Sequence, residues 1–203
     1  MHNKTLLDLA TELLRQVLKF DQPTDTVVAA FFRHHRALGV RDRHALADTV
    51  YAVLRERLLL QHLAQGGSGP LERRLAILAW PGGESALHGA LSPHEETWLA
   101  QASGVDRSAM PDKLRHNLPD WLAALLQREL GDQFWPLVQA LGQAAPLDLR
   151  ANLLKGKRED VQRELASAGI QADPTPHSPW GLRVQGKPAL QKLAAFTAGA
   201  FEV

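Results

Sequence analysis

The sequence has 203 residues, of which 45% are hydrophobic, and a formal net charge of +1. That length and hydrophobic content can bury the core of one large domain or two small ones. The absence of cysteine excludes disulfides, thiolate metal sites and a cysteine nucleophile among these residues. No apolar run approaches the roughly 20 residues that cross a bilayer. Because Asp8 and Glu12 also interrupt the first apolar segment, we expect a cytoplasmic protein without a secretory signal.

Helical spacing dominates the start of the chain. Apolar residues from Leu6 to Leu18 follow one helical face, and Thr5 with Asp8 predicts a capped start for that helix. A second helix is predicted from Pro23 to Gly39, where glycine can adopt the left-handed conformation that ends a helix. Asp42 is predicted to cap a third helix. Its inward stripe consists of Ala45, Leu46, Thr49, Val50, Val53 and Leu54.

Further helices are predicted after the glycine-rich turn at residues 66–69. Their predicted ranges are 71–79, 92–102, a helix beginning at Pro119, and 134–141. Glu95 and Glu96 follow Ser92 at the start of one of these helices, so capping is favoured over acid–base catalysis. The glycine-rich turn lacks the Lys-Ser/Thr of a phosphate-binding loop, so no cofactor site is predicted in this chain.

The pattern changes at Pro146, where apolar and polar residues alternate from Leu147 to Asn152 as in a half-buried strand. The following pieces are a helix over 158–168 ended by Gly169, an extended piece over 170–172, a strand over 180–185, a short helix over 189–195 and an extended piece over 200–203. The fold class is therefore predicted to be α+β, with a helical domain over 1–145 and a small α+β domain over 146–203.

Two local basic clusters stand out against the small net charge. The first lies between Arg33 and Arg57 and contains six arginines, and the second consists of Arg150, Lys155, Lys157, Arg158 and Arg163. Arginine binds phosphate oxygens with bidentate geometry, and binding to a polyanion gains affinity by counterion release. The alternative is that each cluster is only a solvated charged surface.

The histidines and tryptophans have structural alternatives. His44 and Asp48 share a helical face, which suits either a metal pair or a surface hydrogen bond, and no metal site is predicted. An independent hydrolase that uses these two residues would need a divalent metal. The tryptophans are predicted in the core or at domain interfaces rather than as base-stacking residues, with Trp180 the most open to the second interpretation.

Two short sequence segments each resemble part of a known RNA-associated protein family. Arg41-Asp42-Arg43, followed by Leu46 and by Val50 to Arg55, is similar to a segment of NusB-like helical RNA-binding domains. The string from Pro146 to Lys155, followed by Arg158-Glu159, resembles the entry to the domain that precedes the catalytic module of Sun/Fmu-type RNA cytosine-5 methyltransferases. Ala52 and Ala151 replace the glycine and the valine that are usual in these strings. The ending, 199–203, resembles the strand that leads into the catalytic fold of that family.

The resemblance implies an enzyme that uses S-adenosylmethionine and a cysteine nucleophile to methylate carbon 5 of cytosine in RNA, typically ribosomal RNA. Since this chain has no cysteine and no glycine-rich cofactor loop, no catalytic residue is assigned, and a truncation before the catalytic domain is expected. The RNA contacts are predicted at Arg41, Arg43, Arg150, Lys155 and Arg158, and the partners are RNA and the chain's own C-terminal catalytic domain. Alternatively, the helical bundle is a protein-interaction or intramolecular docking module that does not itself bind RNA.

Overall fold

A computed structural model describes residues 2–203 as two compact units, one ending at Gly142 and one spanning Gln143–Val203. The first is helical and the second combines helices with an antiparallel sheet, which confirms the predicted α+β class. The α-helices of the first unit are α1 (Asn3–Val17), α2 (Thr24–His34), α3 (Val40–Arg55), α4 (Arg57–Leu63), α5 (Leu71–Leu78), α6 (Gly83–Ala86), α7 (Pro93–Ser103), α8 (Asp112–His116), α9 (Asp120–Leu130) and α10 (Phe134–Leu141). Short 3-10 turns occupy Ala64–Gly66, Arg107–Ala109 and Gly131–Gln133.

Helix α1 lies at the centre of the first unit and packs against α2, α3 and α5. Leu7, Leu13 and Leu14 are fully buried on it, as the helical spacing predicts. The predicted capped start at Thr5 is wrong, because α1 begins at Asn3 with the His2 side chain accepting a hydrogen bond from the Lys4 amide.

The junction between α2 and α3 differs from the predicted helix end at Gly39. Helix α2 ends at His34, and Gly39 has the extended backbone (φ −69°) of an N-cap residue for α3. The Asp42 carboxylate accepts a hydrogen bond from the Gly39 amide at 3.1 Å, so Asp42 acts from the third helical position rather than as the cap. Gly39 therefore begins a helix instead of ending one, because the acidic residue three positions later satisfies its amide.

Helices α3 and α4 are separated by a break at Glu56 that Asn117 holds in place. Asn117 lies in the left-handed region (φ 53°), and its side-chain oxygen accepts hydrogen bonds from the amides of Leu58 (2.7 Å) and Leu59 (3.4 Å). Its side-chain amide donates to the Arg55 carbonyl. One asparagine, distant in sequence, thus satisfies backbone groups on both sides of the break.

The second unit contains one four-stranded sheet. Its elements are β1 (Leu147–Ala151), α11 (Arg158–Ser167), β2 (Ala172–Pro174), β3 (Gly181–Val184), a 3-10 turn (Leu190–Lys192), α12 (Ala194–Thr197) and β4 (Phe201–Glu202). All neighbouring strands are antiparallel and the strand order is β2-β3-β1-β4. That order and the βαββαβ sequence of elements define the ferredoxin-like arrangement, with a second crossover helix reduced to one turn.

The two faces of this sheet have opposite character. Leu149, Leu182 and Phe201 are buried together with Val161 and Leu165 of α11. Charged side chains occupy the other face, because alternate residues of a strand point to opposite sides. These are Asp148, Arg150, Asp173, Arg183 and Glu202.

The predicted bounds of the last helices and strands agree only approximately with the structure. Gly169 adopts a left-handed conformation (φ +75°) after α11, as predicted. The predicted helix over 189–195 is instead a 3-10 turn followed by α12, and the extended piece over 170–172 lies two residues later as β2. β4 pairs with β1 as an edge strand of this unit's own sheet.

Candidate functional site

Arg41 and Arg43 occupy the first turn of α3 with different surroundings. Arg41 is exposed. Arg43 is half-buried, donates from Nε to the Leu38 carbonyl at 3.0 Å, and places its guanidinium 5.6 Å from the centre of the Phe32 ring. Arg43 therefore stabilises the turn that precedes α3, and the N–H groups of its two terminal nitrogens can still donate hydrogen bonds to a ligand.

The histidines of this cluster contribute to local packing. The His35 ring stacks on Phe31 with ring centres 4.1 Å apart, and His34 Nδ1 lies 2.8 Å from the Ala30 carbonyl.

Within residues 2–203 no group of three or more potential ligands could hold a metal ion. Across the same residues, no helix has the length and apolar character that crossing a membrane requires.

Arg150 lies on the charged face of the sheet, where ion pairs connect neighbouring strands. It stands opposite Gly181 and Glu202 in the register and pairs with the Glu202 carboxylate. Arg183 binds both carboxylate oxygens of Asp148 at 2.8 Å, and these hydrogen bonds hold the pKa of Asp148 below its usual value. The side chains of the Arg150 pair are about two-thirds exposed, so solvent screens this pair and leaves it open to exchange with another anion.

Asn152 and Lys155 join the end of β1 to the turn before β4. The Asn152 amide group donates to the Gly199 carbonyl at 2.9 Å, and its backbone amide donates to Ala200 at 2.8 Å. Lys155 donates from Nζ to the Ala198 carbonyl. Lys155 therefore uses one donor structurally and retains two for a further acceptor.

Arg158 begins α11 and is only partly accessible to solvent. Its side chain is 23% exposed and forms an ion pair with Glu159 at 3.1 Å. Its Nε is buried, and the described residues offer it no hydrogen-bond partner. Asp160 accepts a hydrogen bond from the Lys157 amide at 2.9 Å and pairs with Arg163, and these contacts lower its pKa.

A cleft of about 460 Å³ lies beside Arg150, and most of the residues that form it were not predicted as site residues. Its lining consists of Arg150, Ala151, Asn152, Leu153, Leu154, Trp180, Gly199, Phe201 and Glu202. Trp180 is 46% exposed and Leu154 is 96% exposed. The available sequence signal was Trp180 itself, which directly precedes a strand and follows the proline-rich loop with Pro174, Pro176 and Pro179.

The tryptophans differ in burial. Trp80 and Trp98 are buried in the helical core, as predicted. Trp121 on α9 is 70% exposed and does not belong to a buried cluster of the first unit.

The part of the chain that contains most of the sheet is similar to a known domain family. Residues 118–191 match the family model described as Methyltr_RsmF/B-like, ferredoxin-like domain. The match begins before α9, within the first compact unit, and covers β1, α11, β2 and β3. It agrees with the ferredoxin-like strand order.

Two individual proteins extend this finding. The chain is 30% identical over 84 residues to ribosomal RNA small subunit methyltransferase B of Photorhabdus laumondii subsp. laumondii, an alignment over 41% of this chain and 20% of that protein. The crystal structure of PH0851 has the same fold over 100% of this chain and 53% of its own length, with a TM-score of 0.65 and 16% identity. The chain thus covers 53% of the length of the PH0851 structure, and its alignment covers 20% of the methyltransferase. The resemblance of the string at residues 146–159 to Sun/Fmu-type RNA methyltransferases is confirmed, because that string lies within the family match. The NusB-like resemblance of the string at residues 41–55 stays a prediction.

Proposed function

The chain resembles the N-terminal region of Sun/Fmu-type RNA methyltransferases, and from that premise we propose that it is the RNA-binding front part of a cytosine-5 methyltransferase. In this proposal it holds structured RNA, of the ribosomal class, for a catalytic domain outside these residues. The helical unit is a NusB-like bundle, residues 146–203 form the small domain before the catalytic module, and the enzyme works in the cytoplasm.

The observation that carries the proposal is the family match over residues 118–191, because it includes three of the five predicted contacts. Arg150, Lys155 and Arg158 all lie within it. The sheet unit, residues 143–203, has eight Lys and Arg against six Asp and Glu, a net charge of +2. A small excess of basic residues in this unit favours a polyanion although the whole chain is nearly neutral.

The five predicted contacts would act in different ways. Arg41 and Arg150 are exposed and can bind phosphates directly, Arg150 after exchanging Glu202 for a phosphate. Arg43 and Lys155 each hold a backbone carbonyl and would contact RNA only through their remaining donors. Arg158 would contribute mainly by holding the start of α11.

S-adenosylmethionine would serve the catalytic domain, where a cysteine thiolate would add to carbon 6 of the base and make carbon 5 nucleophilic. The present residues contribute no nucleophile, since the chain has no cysteine. Their contribution is to position the RNA, which accelerates a reaction by holding the reacting groups together.

The proposal is tested by titrating the 203-residue chain with a labelled helical fragment of ribosomal RNA. We expect binding at low salt that weakens linearly on a logarithmic salt scale, because phosphate contacts release counterions. Arg41→Gln and Arg150→Gln should each weaken binding and reduce the salt slope by about one unit. Unchanged affinity and slope in both variants would show that these residues are not RNA contacts.

One observation favours a second candidate, in which the helical unit is a protein-interaction or intramolecular docking module. Residues up to 142 have fifteen Lys and Arg against sixteen Asp and Glu, a net charge of −1. A bundle of balanced charge has no general attraction for RNA. Absence of binding at low salt in the same titration would favour this candidate.

A further inference from the structure

The cleft beside Arg150 has the features of a site for a single base. We propose that it binds one unpaired nucleotide of single-stranded RNA, with the base stacked on the Trp180 indole. This inference rests on the proposed function and specifies which feature of the RNA the sheet unit recognises. Base–aromatic stacking accepts any base, because every base has an aromatic face.

Trp180 is held in position by the loop around it. Its backbone amide donates to the Ser178 hydroxyl at 3.3 Å, and its carbonyl accepts from the Ala151 amide of β1 at 2.9 Å. Thr175 and Gly181 close the same loop through a backbone hydrogen bond of 3.1 Å. A Cβ atom on Gly181 would collide with the Thr175 hydroxyl, so the closed loop favours glycine directly after the tryptophan.

The hydrogen-bonded backbone matters for binding because a loop that is already ordered loses little conformational freedom when a ligand stacks on its side chain. The loop also leaves 46% of Trp180 exposed beside the cleft. An exposed indole in a cleft that polar side chains also line is an arrangement that suits single-stranded RNA.

The polar frame of the cleft complements a nucleotide. Arg150 borders it and can donate to a phosphate or a base edge, with Glu202 as the group that it exchanges. Asn152 is occupied by the Gly199 carbonyl and the Leu154 amide, so it fixes the wall rather than contacting the ligand. The volume of about 460 Å³ falls within the roughly 300–1,000 Å³ of small-ligand sites.

Away from Arg150 and Glu202, the described residues on the charged face of the sheet offer no comparable site. Asp148 and Arg183 neutralise each other across β1 and β3, and Gln185 donates to Asp173 at 3.2 Å. The strand residues of that face are charged rather than aromatic, so the stacking surface is at the strand ends, where Trp180 stands. A duplex keeps its base faces covered, so the cleft selects an unpaired nucleotide.

The test compares two RNA probes and three variants of the 203-residue chain. The probes are a labelled single-stranded oligocytidylate and a blunt RNA duplex, with binding followed by fluorescence anisotropy at low salt. Trp180→Ala should weaken binding of the single strand by about ten-fold and leave the duplex unchanged, because only the single strand offers a base for stacking. Trp180→Phe should retain most of the affinity. Trp121→Ala is the matched control, since it removes a more exposed tryptophan from α9.

A strand with abasic positions checks the stacking itself, and it should bind the wild-type chain and Trp180→Ala equally. Equal loss on both probes, or no loss on either, would overturn the cleft assignment while leaving RNA binding intact. No loss on either probe would point to a protein segment as the occupant of the cleft. If the wild-type chain binds neither probe in a salt-sensitive way, the proposed function itself is wrong.

Discussion

The ion pairs around Arg73 in the helical unit and those on the charged face of the sheet unit differ in their accessibility to solvent. In the helical unit, Arg73 of α5 joins two helices through ion pairs with Asp8 of α1 and Glu95 of α7. In the sheet unit, the pairs Arg183–Asp148 and Arg150–Glu202 lie on an exposed face. Both arrangements connect neighbouring elements, but the Arg73–Glu95 pair is mostly shielded from solvent, whereas the exposed Arg150–Glu202 pair can exchange its partner with a ligand. Net charge alone therefore does not define the binding surface, because the accessibility of each ion pair also decides what it can bind.

The largest expected effect comes from the separate hydrophobic cores. Leu13→Ala in the helical unit and Leu165→Ala in the sheet unit each remove a fully buried side chain. Each should lower the free energy of unfolding by about 2–5 kcal/mol. Calorimetry should show the loss in a different transition for each variant, since each leucine belongs to a different core cluster. One shared transition that shifts equally in both variants would break the comparison.

The next largest effect on stability is expected at the break between α3 and α4. Asn117→Ala removes hydrogen bonds to Leu58, Leu59 and Arg55 and places alanine at a positive φ. We expect a loss of about 2–3 kcal/mol in urea unfolding, because buried backbone groups lose their partner. Asn117→Gly tolerates the backbone angle and isolates the loss of hydrogen bonds, so it should be less destabilising. Wild-type stability in both variants would show that the break does not depend on this side chain.

His116 is expected to make the folding stability of the helical unit depend on pH. Burial lowers its pKa below 6.5, and the opposing charges of Asp112 and Asp120 do not restore it. Its Nδ1 accepts a hydrogen bond from the Leu118 amide at 3.0 Å, so the folded state prefers the neutral ring. The unfolded chain therefore binds more protons, and stability falls as the pH drops from about 6.5 through the lower folded-state pKa. His116→Gln should flatten the stability profile in that window, and an equally steep profile in the variant would assign the effect elsewhere.

The smallest effect concerns the exposed pair on the sheet. Glu202→Gln leaves Arg150 without its carboxylate partner while preserving the shape of the side chain. RNA affinity should rise a few-fold, because a phosphate no longer competes with Glu202, and stability should change little since exposed pairs contribute about 0–1 kcal/mol. Glu159→Gln, which removes a carboxylate from the neighbouring cluster, is the comparison variant. An unchanged or weaker affinity in Glu202→Gln would exclude Arg150 as a phosphate contact.

The sequence predicts the helices and strands better than it predicts the tertiary contacts of individual side chains. Periodicity was sufficient for α1 and β1, because burial of Leu13 and Leu149 follows directly from local spacing. It was insufficient at Gly39, whose conformation depends on the Asp42 carboxylate, and at Asn117, whose partners are about sixty positions away. The hydrogen bond from Lys155 to the Ala198 carbonyl and the cleft beside Trp180 form only when the strands are paired, so local sequence does not predict them.

The most direct test of the account is the salt dependence of RNA binding by the wild-type chain and by the double variant Arg41→Gln with Arg150→Gln. Both residues are exposed, so neither change should disturb the fold. We predict binding of a helical ribosomal RNA fragment at low salt, with a slope against the logarithm of salt that is shallower by about two units in the double variant. Identical slopes, or no binding by the wild-type chain at low salt, would contradict the account.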